Sequence, residues 1–258
     1  MALGRWYRDW RRRRWLREAP LAPDAWRRVL DGLPWLDWLD ADGQVRLAES
    51  SALFVREKQW FLREDLDLDD HQRLLIAAQA CLPILNLGLE WYRGWHSLVI
   101  YPGSFLVPQE YHDAAGVVHR SEETRAGEAW RGGPMVLSWE DVVGCIRGEG
   151  YNVIIHECSH KLDMLNGEAN GRPPLHREMS ARRWAAVFSA AFEALEATVA
   201  RGEESFLDPY GAEGPAEFFA VASEAFFTIA GELRHEHPDL YRELAAFYRQ
   251  DPATQRPA

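Results

Sequence analysis

Cysteine is scarce in this sequence: Cys81, Cys145 and Cys158 are three among 258 residues. An odd, widely spaced set excludes a disulfide framework and a cysteine-based zinc module, and fits a reducing compartment. Long apolar runs are missing as well, so no stretch reaches the roughly 20 residues that a membrane span needs. The N-terminus lacks the uninterrupted apolar core of a secretory signal, so export is not expected and a cytoplasmic location is. Basic charge is in deficit. Lys and Arg number 29 against 40 Asp and Glu, for a formal net charge of -11 and a pI near 5.3. That balance disfavours direct nucleic-acid binding. Internal repeats and low-complexity tracts are also absent.

What is present is apolar and aromatic. Hydrophobic residues make up 47% of the chain, with 12 Trp and 11 Phe, enough for a substantial core. The length suits one domain, or one core with an appended helical region. The stretch "RWYRDWRRRRWLRE" is strongly basic against the acidic whole. Its simpler reading is a solvated helix whose Trp6, Trp10 and Trp15 touch the domain. The alternative is a helix that meets an anionic surface or partner.

Residues 1–90 read as helical. "APDAWRRVLDGLPWLDWL" and "ESSALFVREKQWF" carry helical apolar spacing, broken by Pro34 and Gly43. "DDHQRLLIAAQACLPILNLG" reads as a long helix opened by Asp69 or Asp70 and kinked at Pro83. "HSLVIYPGSFLV" and "GPMVLSWEDVVG" read as strands, with the polar residues 108–133 between them as a loop or hairpin. Helices are expected at 151–166, 178–201, 215–230 and 238–249.

The stretch "NVIIHECSHKLDMLNG" holds the chemistry. Asn152 suits an N-cap and Gly167 a C-terminal stop. At 100° per residue, His156, His160 and Asp163 share one face, while Ile154, Ile155, Cys158, Leu162 and Leu165 form the back. Two histidines at i and i+4 can chelate one ion, and Glu157 between them can reach a water there. A catalytic zinc usually takes three protein ligands. The third has two candidates seven residues apart in "DPYGAEGPAEFFAVASEAFF": Glu217 and Glu224, on one face of a helix that starts near Pro215.

"HECSHKLD" and "PAEFFAVASE", with "LGLEWYRGWHSLVIYP" and the closing "FYRQDP", resemble the Mlc titration factor A family of bacterial zinc metallopeptidases. The likeness spans roughly residues 50–253. It implies an α+β, mainly helical zincin-like metalloprotease fold of the glutamate-ligand type, with a small mixed sheet and a core similar to that of anthrax lethal factor. A helical region at 1–90 and a catalytic region at 91–258 would form one compact unit, monomeric in solution. The resemblance implies one zinc per chain held by His156, His160 and Glu217, with Glu157 as catalytic base and Tyr210 as a catalytic tyrosine. Of the two glutamates, Glu224 would then support a ligand or the core from behind.

Two further expectations follow by analogy. Asp163 would orient a ligand imidazole, or else lie on the helix surface, and the strand around "PMVLSW" would offer an edge to an extended substrate. The implied activity is peptide hydrolysis, with an aminopeptidase-like form among the forms it would take. The other function class is a regulatory protein that sequesters a transcriptional repressor, the glucose repressor Mlc. The His235-x-His237 pair before Pro238 reads as a surface turn, and His96, His112, His119 and His176 lack ligand spacing.

Overall fold

The structure is a computed structural model that describes residues 2–112, 118–125, 127–129 and 132–255. Its fold is mainly helical α+β. The N-terminal region holds α1 (Ala2–Glu18), α2 (Pro23–Gly32), α3 (Ala41–Glu57) and α4 (Asp70–Cys81). Gly43 does not break α3 but sits in its first turn, where its N–H donates to the capping Asp40 carboxylate at 2.6 Å. A Cβ there would lie 2.9 Å from that carboxylate oxygen, so glycine lets the cap close. Asp69 opens α4 through a capping box with Gln72. Pro83 ends this helix rather than kinking it. Having no N–H, proline cannot continue the ladder, and Ile84 and Leu85 donate instead to carbonyls three residues back.

Trp60 and Phe61 leave the expected helix for β1 (Gln59–Leu62). Aromatic side chains suit a pleated, half-buried surface, and β1 pairs in parallel with β2 (Ser97–Tyr101). A hairpin of β3 (Phe105–His112) and β4 (Val118–Arg125) occupies half of the polar stretch. His112 and His119 lie on its strands, and their side chains are outside the described residues. β5 (Gly127–Ala129) and β6 (Met135–Ser138) complete a four-stranded sheet of order β1-β2-β6-β5. The pairs β1/β2 and β2/β6 are parallel, and β5 runs antiparallel to β6. The "PMVLSW" strand therefore offers no free edge. All four residues of β6 are buried, as suits an inner strand, and the outer strand on that side is β5.

The rest is helical: α5 (Trp139–Gly144), α6 (Val153–Asp163), α7 (Ala181–Ala200), α8 (Pro215–Thr228), α9 (Ala230–Glu236), α10 (Pro238–Tyr248) and α11 (Pro252–Gln255). One cluster of buried side chains runs from Val29 and Trp35 through Phe54 and Ile154 to Phe226 and Tyr248. It draws on both halves of the chain. Among the described residues, no helix is long and apolar enough to cross a membrane.

The N-terminal helix docks in an unexpected way. Arginines and Trp15 hold it, not Trp6 or Trp10. Arg12 binds the Glu57 carboxylate through two nitrogens at 2.7 and 2.8 Å and reaches Glu90 at 3.1 Å. Arg8 binds Glu90 at 2.9 Å. Trp15 lies between the guanidinium groups of Arg11 and Arg56, 4.6 and 4.5 Å from its ring centroid. Trp6 and Trp10, expected to touch the domain, are instead exposed.

Candidate metal centre

The site is built on α6, which is buried along its whole length. The helix has no solvated polar front, because β5 and α8 cover the face that carries the histidines. Its N-terminus is fully tied. The Asn152 side-chain oxygen accepts from Ile155 N at 3.0 Å, and its amide donates to Gln79 at 2.7 Å. Asn152 N donates to the Glu224 carboxylate, and Val153 N donates to the Cys145 sulfur at 3.1 Å. After Asp163 the chain tightens into a 3-10 turn at Met164–Asn166. That change of period swings Leu165, expected on the apolar back, out to 40% exposure. Cys158 does pack in the core, where burial pushes its thiol up to about 12.

Spacing of four residues brings His156 and His160 together, their Nε2 atoms 3.1 Å apart. Glu217 stands in the first turn of α8, and its Oε2 lies 3.0 Å from His156 Nε2 and 3.2 Å from His160 Nε2. Among the described residues these three form the one group of three His, Cys, Asp or Glu able to share a metal ion. A tetrahedral ion with bonds of about 2.0–2.1 Å holds its donors roughly 3.3–3.4 Å apart, close to this triangle.

The protons make the same point. His156 Nδ1 lies 2.7 Å from Glu224 Oε1, and with that carboxylate ionised Nδ1 carries the hydrogen, which leaves neutral His156 only a lone pair at Nε2. That lone pair faces the lone pairs of Glu217. Something positive must sit between them, a proton or a metal cation. Without the metal it is a proton. Burial works against a charged His156, but Glu224 and the hydrogen bonds to Glu217 and Glu224 outweigh it and raise its pKa. Burial also opposes ionised Glu217, and the two imidazoles prevail to hold its carboxyl low. His160 Nδ1 is buried without a hydrogen-bond partner. The residues present fit a zinc ion.

Glu157 is 4% exposed, and its Oε2 is buried without a partner. Burial raises its pKa, partly offset by His160 and His156. Gly127 of β5 covers it so closely that a Cβ there would overlap Glu157 Oε1 and sit 2.7 Å from its Cγ. Nothing in "RAGEAW" marks this glycine, since the contact exists only once β5 pairs with β6 beside α6. Together Gly127, His156, Glu157, His160, Tyr210 and Glu217 line a cavity of about 150 Å³, with Ala129, Met164 and Ala169 completing its wall. Tyr210 reaches it from a 3-10 turn capped by Asp208, with its ring centroid 5.9 Å from that of His156.

Asp163 plays neither expected part. It is fully buried, and one carboxylate oxygen accepts from Asn170 N and Gly171 N at 2.7 Å each. The loop so held packs on Pro215, the first residue of α8, and thereby sets Glu217 against the histidines. Gly171 has φ of +75°, and a Cβ there would overlap the Pro215 carbonyl. Gly171→Ala is therefore expected to cost at least about 2 kcal/mol from the left-handed backbone and the overlap together. Thermal unfolding should show a melting temperature lower by roughly 4–8 °C. An unchanged value would mean that this loop does not brace α8.

The other histidines stay apart. His235 is highly exposed in the last turn of α9 and pairs with Glu236 at 2.9 Å. His176 Nε2 donates to the Phe247 carbonyl at 2.8 Å, and its ring stacks on that of Phe247.

Comparison with known proteins agrees with this geometry. The chain is 37% identical over 236 residues to Mlc titration factor A of Cronobacter sakazakii, covering 91% of this chain and 89% of that one. It is 38% identical over 239 residues to Mlc titration factor A of Enterobacter sp., covering 90% and 89%. An uncharacterised protein of Synechocystis sp. is 37% identical over 248 residues, covering 95% and 90%. The family model described as glucose-regulated metallo-peptidase M90 matches residues 7–249. With a match over nearly its whole length and a triangle of candidate metal ligands at its centre, the chain belongs to the M90 family of metallopeptidases.

Proposed function

We propose that the protein is a zinc-dependent peptide hydrolase in which His156, His160 and Glu217 hold one zinc ion. The observation that carries this reading is the donor triangle with Glu157 beside it, unpartnered at one oxygen. When bound, zinc supplies Lewis acidity, lowering the pKa of a water toward 7 and polarising a carbonyl. Glu157 takes the water's proton and passes it to the leaving amine, acting as general base and then general acid. Its raised pKa suits both tasks, because the carboxyl can hold the proton between the two steps. Tyr210, at the mouth of the cavity, hydrogen-bonds the developing oxyanion or the leaving group. Glu224 fixes the His156 tautomer, so that Nε2 keeps its lone pair for the metal. Gly127, having no side chain, leaves room for Glu157 beside β5. The scissile bond would sit in the cavity of about 150 Å³ beside these residues, and an aminopeptidase-like form of the activity belongs to the same proposal.

The name of the relatives favours a second, compatible role: binding a repressor of the kind called Mlc. Chemistry and docking need not share a surface. A cytoplasmic monomer serves both readings.

Metal content tests the proposal. Purified protein is expected to carry one zinc per chain and to lose it as acid protonates the histidines, with peptide cleavage lost and regained in step. Protein that holds no stoichiometric transition metal, and takes up none from added zinc, would overturn the reading.

A further inference from the structure

The helix α1 presents two faces, and the fold uses only one of them. Arg8, Arg12 and Trp15 point inward to Glu57, Glu90 and Arg56. At 100° per residue, Trp6, Tyr7, Trp10, Arg13, Arg14 and Arg17 fall within about 120° on the opposite side. All six are exposed. Trp6 is 65% accessible, Tyr7 52% and Trp10 42%, the largest exposed aromatic group among the described residues of one element. The rings are organised: Tyr7 stacks on Trp10 with centroids 5.9 Å apart, and the Arg14 guanidinium lies 5.7 Å from the Trp10 centroid. Such a patch of large aromatic surface calls for a partner.

Charge names the partner's sign. Seven of the chain's 29 basic residues sit in these 17 positions beside only Asp9 and Glu18, in a protein of net charge -11. The patch is a convex helix face, and the cavity at α1 lies on its inner side, lined by Arg8, Arg12 and Trp15. A convex face does not enclose a small ligand. A fluid bilayer needs no enclosure. Tryptophan and tyrosine settle at the headgroup level, while arginines beside them reach phosphate and carboxylate groups. The acidic body stands farther off, where a Debye length of about 8 Å screens its repulsion. We propose that the outer face of α1 docks the protein on an anionic lipid surface, with the helix in the plane of the headgroups.

The experiment is co-sedimentation of the full chain with phosphatidylcholine vesicles, with and without about 30% phosphatidylserine. Each arginine near an anionic surface is worth roughly fivefold in partitioning, so binding is expected to rise at least tenfold with phosphatidylserine and to fall in high salt. Two variants, Trp6→Ala with Trp10→Ala and Arg13→Glu with Arg14→Glu, are each expected to lower it about tenfold or more. They change different side chains on an exposed face, and circular dichroism checks each fold, so either alone is decisive. Equal partitioning onto both vesicles, or undiminished binding by a folded variant, would overturn the proposal. So would tight binding to duplex DNA or polyglutamate without vesicle binding, since the occupant would then be a different macromolecule.

Discussion

Replacing Glu157 by glutamine is expected to abolish peptide hydrolysis while leaving zinc content and fold intact. An amide cannot accept the water's proton, and loss of a positioned general base typically lowers the rate by about 10²–10⁴. Glutamine is the informative choice because of Gly127. The side chain is packed under β5 with no room to spare. Alanine would leave a cavity and free β5 to sag, whereas glutamine keeps the volume. It also removes a carboxylate that burial disfavours in its charged form, so the melting temperature should hold or rise. Zinc analysis and peptide turnover on the same preparation decide the matter. A variant that binds zinc and cleaves as fast as the parent would place the activity elsewhere. Loss of cleavage with loss of zinc would show that Glu157 holds the site together rather than moving protons.

The two glutamates of α8 should separate by a crossed pair of effects. Glu217 and Glu224 grip opposite nitrogens of the same imidazole: Glu217 lies at His156 Nε2, Glu224 at Nδ1. Glu217→Ala removes a donor from the triangle and is expected to lower zinc affinity by orders of magnitude. In the metal-free protein it also removes the carboxylate that pairs with His156 and His160, a loss softened because the Glu217 side chain is 24% exposed and faces the cavity. Glu224→Ala is the reverse. It should weaken zinc binding by the 10- to 100-fold typical of a residue that orients a ligand. It also strips the partner from two buried donors, His156 Nδ1 and Asn152 N–H, at about 1–3 kcal/mol each. Zinc dissociation constants and metal-free unfolding of both variants test this. If Glu224→Ala costs more zinc affinity than Glu217→Ala, the ligand assignment must be exchanged.

Local features of this protein are legible in the sequence. Asn152 as cap, α6 as helix and the pairing of His156 with His160 all follow from one turn of geometry, because residues four apart on a helix must be neighbours. The same holds for the Asp69 capping box and for Pro215 opening α8. Scarce cysteine, the deficit of basic charge and the lack of long apolar runs are likewise properties of composition, and they weigh against a disulfide framework, a nucleic-acid surface and a membrane span.

Only tertiary structure could decide the rest, because it depends on what meets across long separations. Glu217 and Glu224 share a helix face, and sequence spacing leaves both available. Which one meets the open nitrogens depends on how α8 enters, and that is fixed by Gly171 against Pro215 and by Asp163 reaching Asn170 and Gly171. Asp163 looked like a partner for an imidazole because helical phase put it beside His160, but phase says nothing about the loop that returns to claim its carboxylate. Gly127 gained its meaning when β5 joined the outside of the sheet. Trp6 and Trp10 could have faced in or out on the same helix, and two acids, Glu57 and Glu90, turned the arginine face inward. Periodicity fixes which residues travel together, and packing alone fixes which way they point.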